Sequence, residues 1–221
     1  MKLLLIGVFS VFIFGRANAQ QPVDYTALIK ATQSQQGVAG ELKLAWWIPV
    51  EFWEQALLQQ GVTGFEIQSF LDVLEPYVFV GMIDGAIGDY GTVSYMDEKI
   101  MSATLRVTGT SGEQRTPLDP EEIPEELDYM LSLLKPMLQG MMGEMGANFH
   151  FYVFSDEMTD GTRFCDPFAT GSVKIETSRS NHSIRTPLGP LLPPKVCPED
   201  EEEFMGDYNF CPYCGHALED K

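Results

Sequence analysis

Residues 77–108 read YVFVGMIDGAIGDYGTVSYMDEKIMSATLRVT, and the fold class turns on how this stretch is read. Tyr77 to Ile83 is dense in β-branched and aromatic side chains, which pack best on a pleated surface. Gly88-Asp89-Tyr90-Gly91 is turn chemistry, and strand character resumes over Thr92 to Tyr95. Met96-Asp97-Glu98-Lys99 can turn the chain into Ile100 to Val107, where Met101, Ala103, Leu105 and Val107 alternate with more polar neighbours. Period-two alternation predicts strands with one buried face. The short turns between them predict an antiparallel meander, because parallel neighbours need long crossovers.

Outward toward the N-terminus, Leu42 to Val50 predicts a further strand that ends at Pro49. Tyr25 to Gln36 predicts a helix capped by Asp24 and stopped by Gly37 and Gly40. Glu51 to Gln60 and Phe65 to Leu74 predict two more helices, the second with Ile67, Phe70, Leu71 and Leu74 on one face. Outward toward the C-terminus, a polar loop over 108–120 leads to a long helix starting near Pro124. Its apolar face runs Leu127, Met130, Leu131, Leu134, Met137, Leu138 and Met141. Pro136 is expected to kink or divide that helix. Strands then return at Phe149 to Phe154, Thr162 to Phe164 and Ser172 to Glu176. Residues 20–176 therefore predict an α+β domain with a mainly antiparallel sheet and several helices. Pro187, Gly189, Pro190, Pro193 and Pro194 predict a semi-extended Pro-rich linker over 177–195, leaving 196–221 as a small tail.

Residues 1–19 carry the pattern of a cleaved signal peptide. Lys2 precedes an apolar run from Leu3 to Phe14, and Ala17-Asn18-Ala19 offers a small-x-small cleavage site. A spanning helix wants about 20 apolar residues, and here polar sequence begins at Gln20. The expectation is an exported protein, periplasmic or extracellular, with no membrane attachment after cleavage. The chain carries a formal net charge of −18, and losing Lys2 and Arg16 makes the remainder more acidic still. Such a surface repels phosphate backbones, so nucleic-acid binding is not expected.

The tail holds the sharpest chemical signal. Cys197-Pro198-Glu199-Asp200 is followed, after a spacer, by Phe210-Cys211-Pro212-Tyr213-Cys214-Gly215-His216-Ala217-Leu218. Two cysteines separated by two residues set both sulfurs on one side of a tight turn, and the glycine permits the left-handed backbone that the turn needs. The second segment resembles a zinc-ribbon knuckle, and the first resembles the opposite knuckle with Asp200 where its second cysteine is expected. The resemblance covers 196–218 only and implies a structural zinc held by Cys197, Asp200, Cys211 and Cys214. His216 could replace Asp200, and Cys165 could complete an all-cysteine site if the tail folds back. Disulfides are the competing reading, because an exported chain meets oxidising conditions and four cysteines can pair. Cys-Pro-Tyr-Cys also resembles the glutaredoxin active site, but seven residues after Cys214 do not build a thioredoxin-like fold.

Other signals have plainer explanations. Met130, Met137, Met141, Met142 and Met145 could bind Cu(I), a soft ion, yet filling an irregular helix interface accounts for Met130, Met137 and Met141. Trp46, Trp47 and Trp53 read as core anchors before a ligand platform. Asp156, Glu157 and Asp160 read as a turn before a calcium loop. Asn181-His182-Ser183 matches a glycosylation sequon. No nucleophile-elbow, metalloprotease or phosphate-loop motif occurs. The expectation is a non-enzymatic binding or scaffold protein with a protein partner. An enzyme with an unlocated carboxylate site, or a thiol redox or metal-handling protein using Cys211 and Cys214, are the alternatives.

Overall fold

A computed structural model describes residues 23–221 apart from positions 38, 63 and 159 and the side chain of residue 66. The signal-peptide reading of 1–19 lies outside the described residues. The fold class is α+β with antiparallel sheets.

Helix α1, Tyr25–Ala31, is capped by Asp24, whose side chain accepts the Ala27 N–H at 3.0 Å. It ends five residues earlier than its sequence predicts. The polar run Gln33–Gln36 is instead strand β1, paired with β2, Glu41–Ile48. Glutamine is a good helix former, but pairing with a neighbouring strand outweighs a weak local propensity. Thr32 pins the corner by accepting the Trp47 N–H at 3.0 Å on its carbonyl and the Trp46 Nε1–H at 3.1 Å on its hydroxyl. Helices α2, Val50–Gln59, and α3, Phe65–Leu74, follow as their periodicity predicts.

Strand β3, Tyr77–Ile87, is the axis of the first sheet. One edge pairs with β2 over Phe79–Ala86. The other edge carries β4, Val93–Tyr95, at its C-terminal end. Val78 to Gly85 is buried without a break, as expected of a central strand covered on both faces. The predicted strand over Ile100–Val107 is overturned, because α4, Glu98–Thr104, occupies most of it. Asp97 accepts from the Lys99 and Ile100 amides and starts a helix where turn chemistry alone was read. Met101 and Leu105 are four residues apart and buried, a spacing that a helix satisfies as well as a strand. Only β5, Arg106–Thr108, remains extended, followed by β6, Gln114–Arg115.

Helix α5, Glu125–Met142, runs across Pro136 without dividing, and α6, Glu144–Ala147, follows it. Leu127 is buried, but Met137 and Met141 are 53 % and 74 % exposed. They therefore do not fill an interface within the chain. With Tyr129 and Leu133 they make an outward stripe at four-residue steps. Strand β7, His150–Ser155, then pairs with Tyr77–Met82 on the same edge of β3 that carries β4 farther along. The predicted strand at Thr162–Phe164 is reduced to one bridge, Glu157 with Arg163. Asp160 accepts from both the Thr162 amide and hydroxyl, the geometry of a turn.

Strands β8, Gly171–Glu176, and β9, Asn181–Thr186, form a hairpin beside β5 and β6 in a four-stranded antiparallel sheet. This corrects the linker reading of 177–195. His182, Ile184 and Thr186 are buried while Asn181, Ser183 and Arg185 face outward, a strict alternation. The prolines come after β9, where Gly189–Leu191 forms a 3-10 turn against α1. Proline and glycine over 187–194 dominated a window whose first half is a sheet strand. Both sheets feed one core that includes Trp47, Phe79, Phe154, Phe164, Val173 and Ile184. The tryptophans are core anchors: Trp47 is fully buried, Trp46 packs edge-on to Phe52, and Trp53 packs edge-on to Phe70 and Phe79.

Candidate metal centre

The tail is built on three two-residue strands: β10, Lys195–Val196, β11, Glu203–Phe204, and β12, Glu219–Asp220. Strand β10 lies in the middle and pairs antiparallel with both others. It runs directly into Cys197, β11 leaves the first knuckle, and β12 leaves the second. The small sheet therefore ties the roots of both knuckles together. Beneath it, Gly206 touches Leu192 and the Pro193 carbonyl so closely that an added Cβ would overlap them. The tail is seated on the 189–193 turn.

The two knuckles repeat one hydrogen-bond pattern. In the second, the Gly215 N–H donates to the Cys211 carbonyl at 2.9 Å, and the Cys211 N–H donates to the His216 carbonyl at 2.8 Å. In the first, the Glu201 N–H donates to the Cys197 carbonyl at 2.9 Å, and the Cys197 N–H donates to the Glu202 carbonyl at 2.9 Å. Gly215 has φ +79° and Glu201 φ +60°, so a glutamate holds the left-handed position that glycine holds opposite. The Glu202 N–H donates to Asp200 Oδ1 at 3.1 Å, and Asp200 stands three residues after Cys197 as Cys214 stands three after Cys211. Asp200 thus occupies the structural place of Cys214. The signal for this was in the sequence: laying Cys-Pro-Glu-Asp-Glu over Cys-Pro-Tyr-Cys-Gly puts Glu201 on Gly215.

The sulfurs of Cys197, Cys211 and Cys214 lie within 4.8 Å of one another, and Cys197 and Cys214 are 3.4 Å apart. Cys197 and Cys211 are buried and Cys214 is exposed. This cluster of three could hold a metal ion. Burial works to raise the Cys211 thiol, but the amides of Cys214 and Tyr213 and the neighbouring thiols outweigh it and leave it below its ordinary value. The His216 amide works to lower the Cys214 thiol, but burial, the Cys211 and Cys197 thiols and the Cys197 charge push it up to about 12. Neighbouring thiolates repel, and a divalent cation among them would remove that repulsion and displace the retained proton. Asp200 is held below the usual carboxylate range by the Glu202 amide and then by the Cys197 thiol. It is an ionised oxygen donor next to Cys197, but it is not one of the groups whose ligand atoms converge.

His216 is placed differently. Its Nδ1 is 3.0 Å from Glu199 Oε2, and this pair shares only Cys214 with the sulfur cluster. Both side chains are exposed on the rim. Cys165 is fully buried in the core, its amide bonded to Asp156 Oδ1 at 2.8 Å, and it is not in the cluster. It neither completes the metal set nor meets Cys197 in a disulfide; all four thiols are free in this structure. Three converging thiols are an odd number, so pairing any two strands the third, whereas one tetrahedral ion uses all of them.

Among the described residues, no three carboxylates converge as the sulfurs do. Asp84 and Asp156, the two buried acids among the described residues, each face an arginine: Asp84 lies 3.2 Å from Arg179 and Asp156 lies 2.8 Å from Arg163. No family model, curated protein or solved structure matches this chain.

The sequence also left unread what surrounds the knuckles. Phe204 packs 6.1 Å from Tyr208 and 6.2 Å from Tyr213, measured between ring centres. Met205, Tyr208, Phe210 and Tyr213 are all exposed, Phe210 at 63 % and Tyr213 at 76 %. The tail therefore carries a band of outward aromatic surface. Aromatic alternation at 204, 208, 210 and 213 was the available signal.

Proposed function

We propose that this is an exported, non-enzymatic binding or scaffold protein. Its tail, residues 196–221, folds round a structural zinc ion and presents aromatic side chains to a protein partner. The outward aromatic band on a unit of 26 residues carries the reading. So small a unit has little core of its own, and a bound ion is the ordinary substitute for one. With the core of the tail replaced by metal, Phe210 and Tyr213 are free to face solvent, and aromatic side chains are the residues enriched where proteins bind one another. In this reading Cys197, Cys211 and Cys214 hold the ion and Asp200, next to Cys197, moves in as the fourth donor, which would close the coordination sphere as in structural rather than catalytic zinc. The Lys2 to Ala19 pattern supports export. Should the leader be removed, protein recovered from outside the cytoplasm begins at Gln20.

The test separates metal from partner. Full-length wild type and a Phe210→Ser/Tyr213→Ser variant are expressed in the native cell with a C-terminal tag, and zinc content and co-purifying proteins are quantified together. The expected result is zinc retained in both and a stoichiometric partner lost from the variant. An unchanged partner profile would refute the docking role, and zinc absent from both would refute the structural ion.

A further inference from the structure

A second feature lies where the tail meets the main fold. A cleft of about 380 Å³ opens between the β8–β9 hairpin and the tail sheet, with Arg185, Thr186, Lys195, Asp207 and Asn209 among its walls. That volume falls within the range of small-ligand sites. Three observations bear on what it takes.

Thr186 is 2 % exposed, and its Oγ1 has no hydrogen-bond partner among the described residues. Asp207 is only partly buried, but its Oδ1, packed against Gly189, is shielded from solvent and has no hydrogen-bond partner among the described residues. Buried polar atoms are almost always paired, and the exceptions call for a ligand, a water or strain to explain them. The cations supply the third observation. The chain has 14 basic residues against 32 acids, yet two of the 14 line this one cleft. Lys195 Nζ donates to the Tyr208 carbonyl at 3.1 Å and to Asn209 Oδ1 at 3.4 Å, and no carboxylate among the described residues pairs with it or with Arg185. No basic group among the described residues pairs with Asp207 either. A cleft that keeps two positive groups and one negative group apart in an acidic protein is complementary to a molecule with separated charges.

We propose that this cleft binds a small zwitterionic amino carboxylate, the chemistry of a free amino acid or a dipeptide. Its carboxylate faces Arg185 and Lys195, and its ammonium group faces Asp207 and the Thr186 hydroxyl. Arg185 recognises a carboxylate through its planar fork, and Asp207 and Thr186 gain the donors they lack. None of the five residues is a cysteine or a proposed ligand, but Lys195, Asp207 and Asn209 belong to the tail and its sheet, so the cleft rests on the proposed folding of the tail. Zinc content is measured beside the titration, so that zinc-loaded protein without binding refutes this site alone.

The experiment uses the full mature chain, isotope-labelled, with NMR titration of the twenty common amino acids and of glycylglycine at millimolar concentration. Each binder is then repeated as its N-acetyl and methyl-ester derivatives, which delete one charge apiece. The expected result is that at least one zwitterion shifts the amide resonances of Arg185, Thr186 and Asp207, and that either derivative binds at least about tenfold more weakly. Arg185→Gln, a change at an exposed side chain, is expected to weaken the carboxylate end while leaving the melting temperature unchanged. Asp207→Asn should weaken the ammonium end. The proposal is overturned if no zwitterion shifts these resonances, or if the derivatives and both variants bind as well as the parent pair.

Discussion

Replacing Gly215 by alanine tests the knuckle geometry through a single added atom. Gly215 sits at φ +79°, and a Cβ built there meets no atom within 4 Å. Steric overlap therefore contributes nothing, and the whole cost is the left-handed backbone, about 1–2 kcal/mol for a residue with a Cβ. The lower chain entropy of the unfolded alanine variant offsets up to about 1 kcal/mol of it. A net cost of about 1 kcal/mol corresponds to a roughly fivefold weaker zinc affinity if tail folding and binding are coupled. Glu201 holds the equivalent position in the first knuckle at φ +60° and already bears that strain. Glu201→Gly is thus expected to leave zinc affinity unchanged or tighten it, and Glu201→Ala to leave it unchanged. The assay is zinc competition against a chromophoric chelator on the mature protein. Gly215→Ala without effect, or with a loss beyond about a hundredfold, would refute the reasoning, as would a Glu201→Gly variant that binds more weakly than wild type.

Three further outcomes follow from the same geometry. Asp200→Cys completes four thiolates and is expected to hold zinc longer against chelator, while Asp200→Ala loses it faster; cobalt substitution reads the number of thiolates through its charge-transfer band. His150 and His182 are both lowered below their ordinary value, chiefly by burial. Each therefore contributes stability that is full above the unfolded value of about 6.5 and is lost as pH falls toward the folded value. Resistance to urea should fall as pH drops below about 6.5, with a smaller loss in His182→Asn. Met137 and Met141 on the outer face of α5 should oxidise first in dilute peroxide, while Met82 and Met101, buried at 0 % and 1 %, stay reduced until the protein unfolds; peptide mapping by mass spectrometry distinguishes them.

The parts legible in the sequence are those where local pattern and tertiary context agree. Strand β2, helices α2 and α3 and the long helix α5 follow from periodicity, and the continuous apolar run of β3 marks it as central. Elements formed by context were not legible. The polar strand β1 exists because β2 offers it an edge, and helix α4 shares the spacing of Met101 and Leu105 with a strand. Strand β9 was hidden because the prolines just after it dominated the composition of 177–195. At the candidate centre, the cysteine spacing showed the knuckles and which sulfurs could converge. Whether Cys165 joined them depended on the chain path through the core, which spacing does not encode. Sequence gave no sign of the cleft, because Thr186, Lys195 and Asp207 meet only when the tail seats on the 189–193 turn.

Metal content measured together with thiol reactivity, on the mature chain purified without chelator from its export compartment, tests the central claim most directly. The account expects about one zinc per chain, with Cys197, Cys211 and Cys214 protected until the ion is chelated and Cys165 protected until the fold is denatured. Metal-free protein in which two of the three tail cysteines are joined by a disulfide would contradict it, and would leave the aromatic band and the cleft to be explained without an ion.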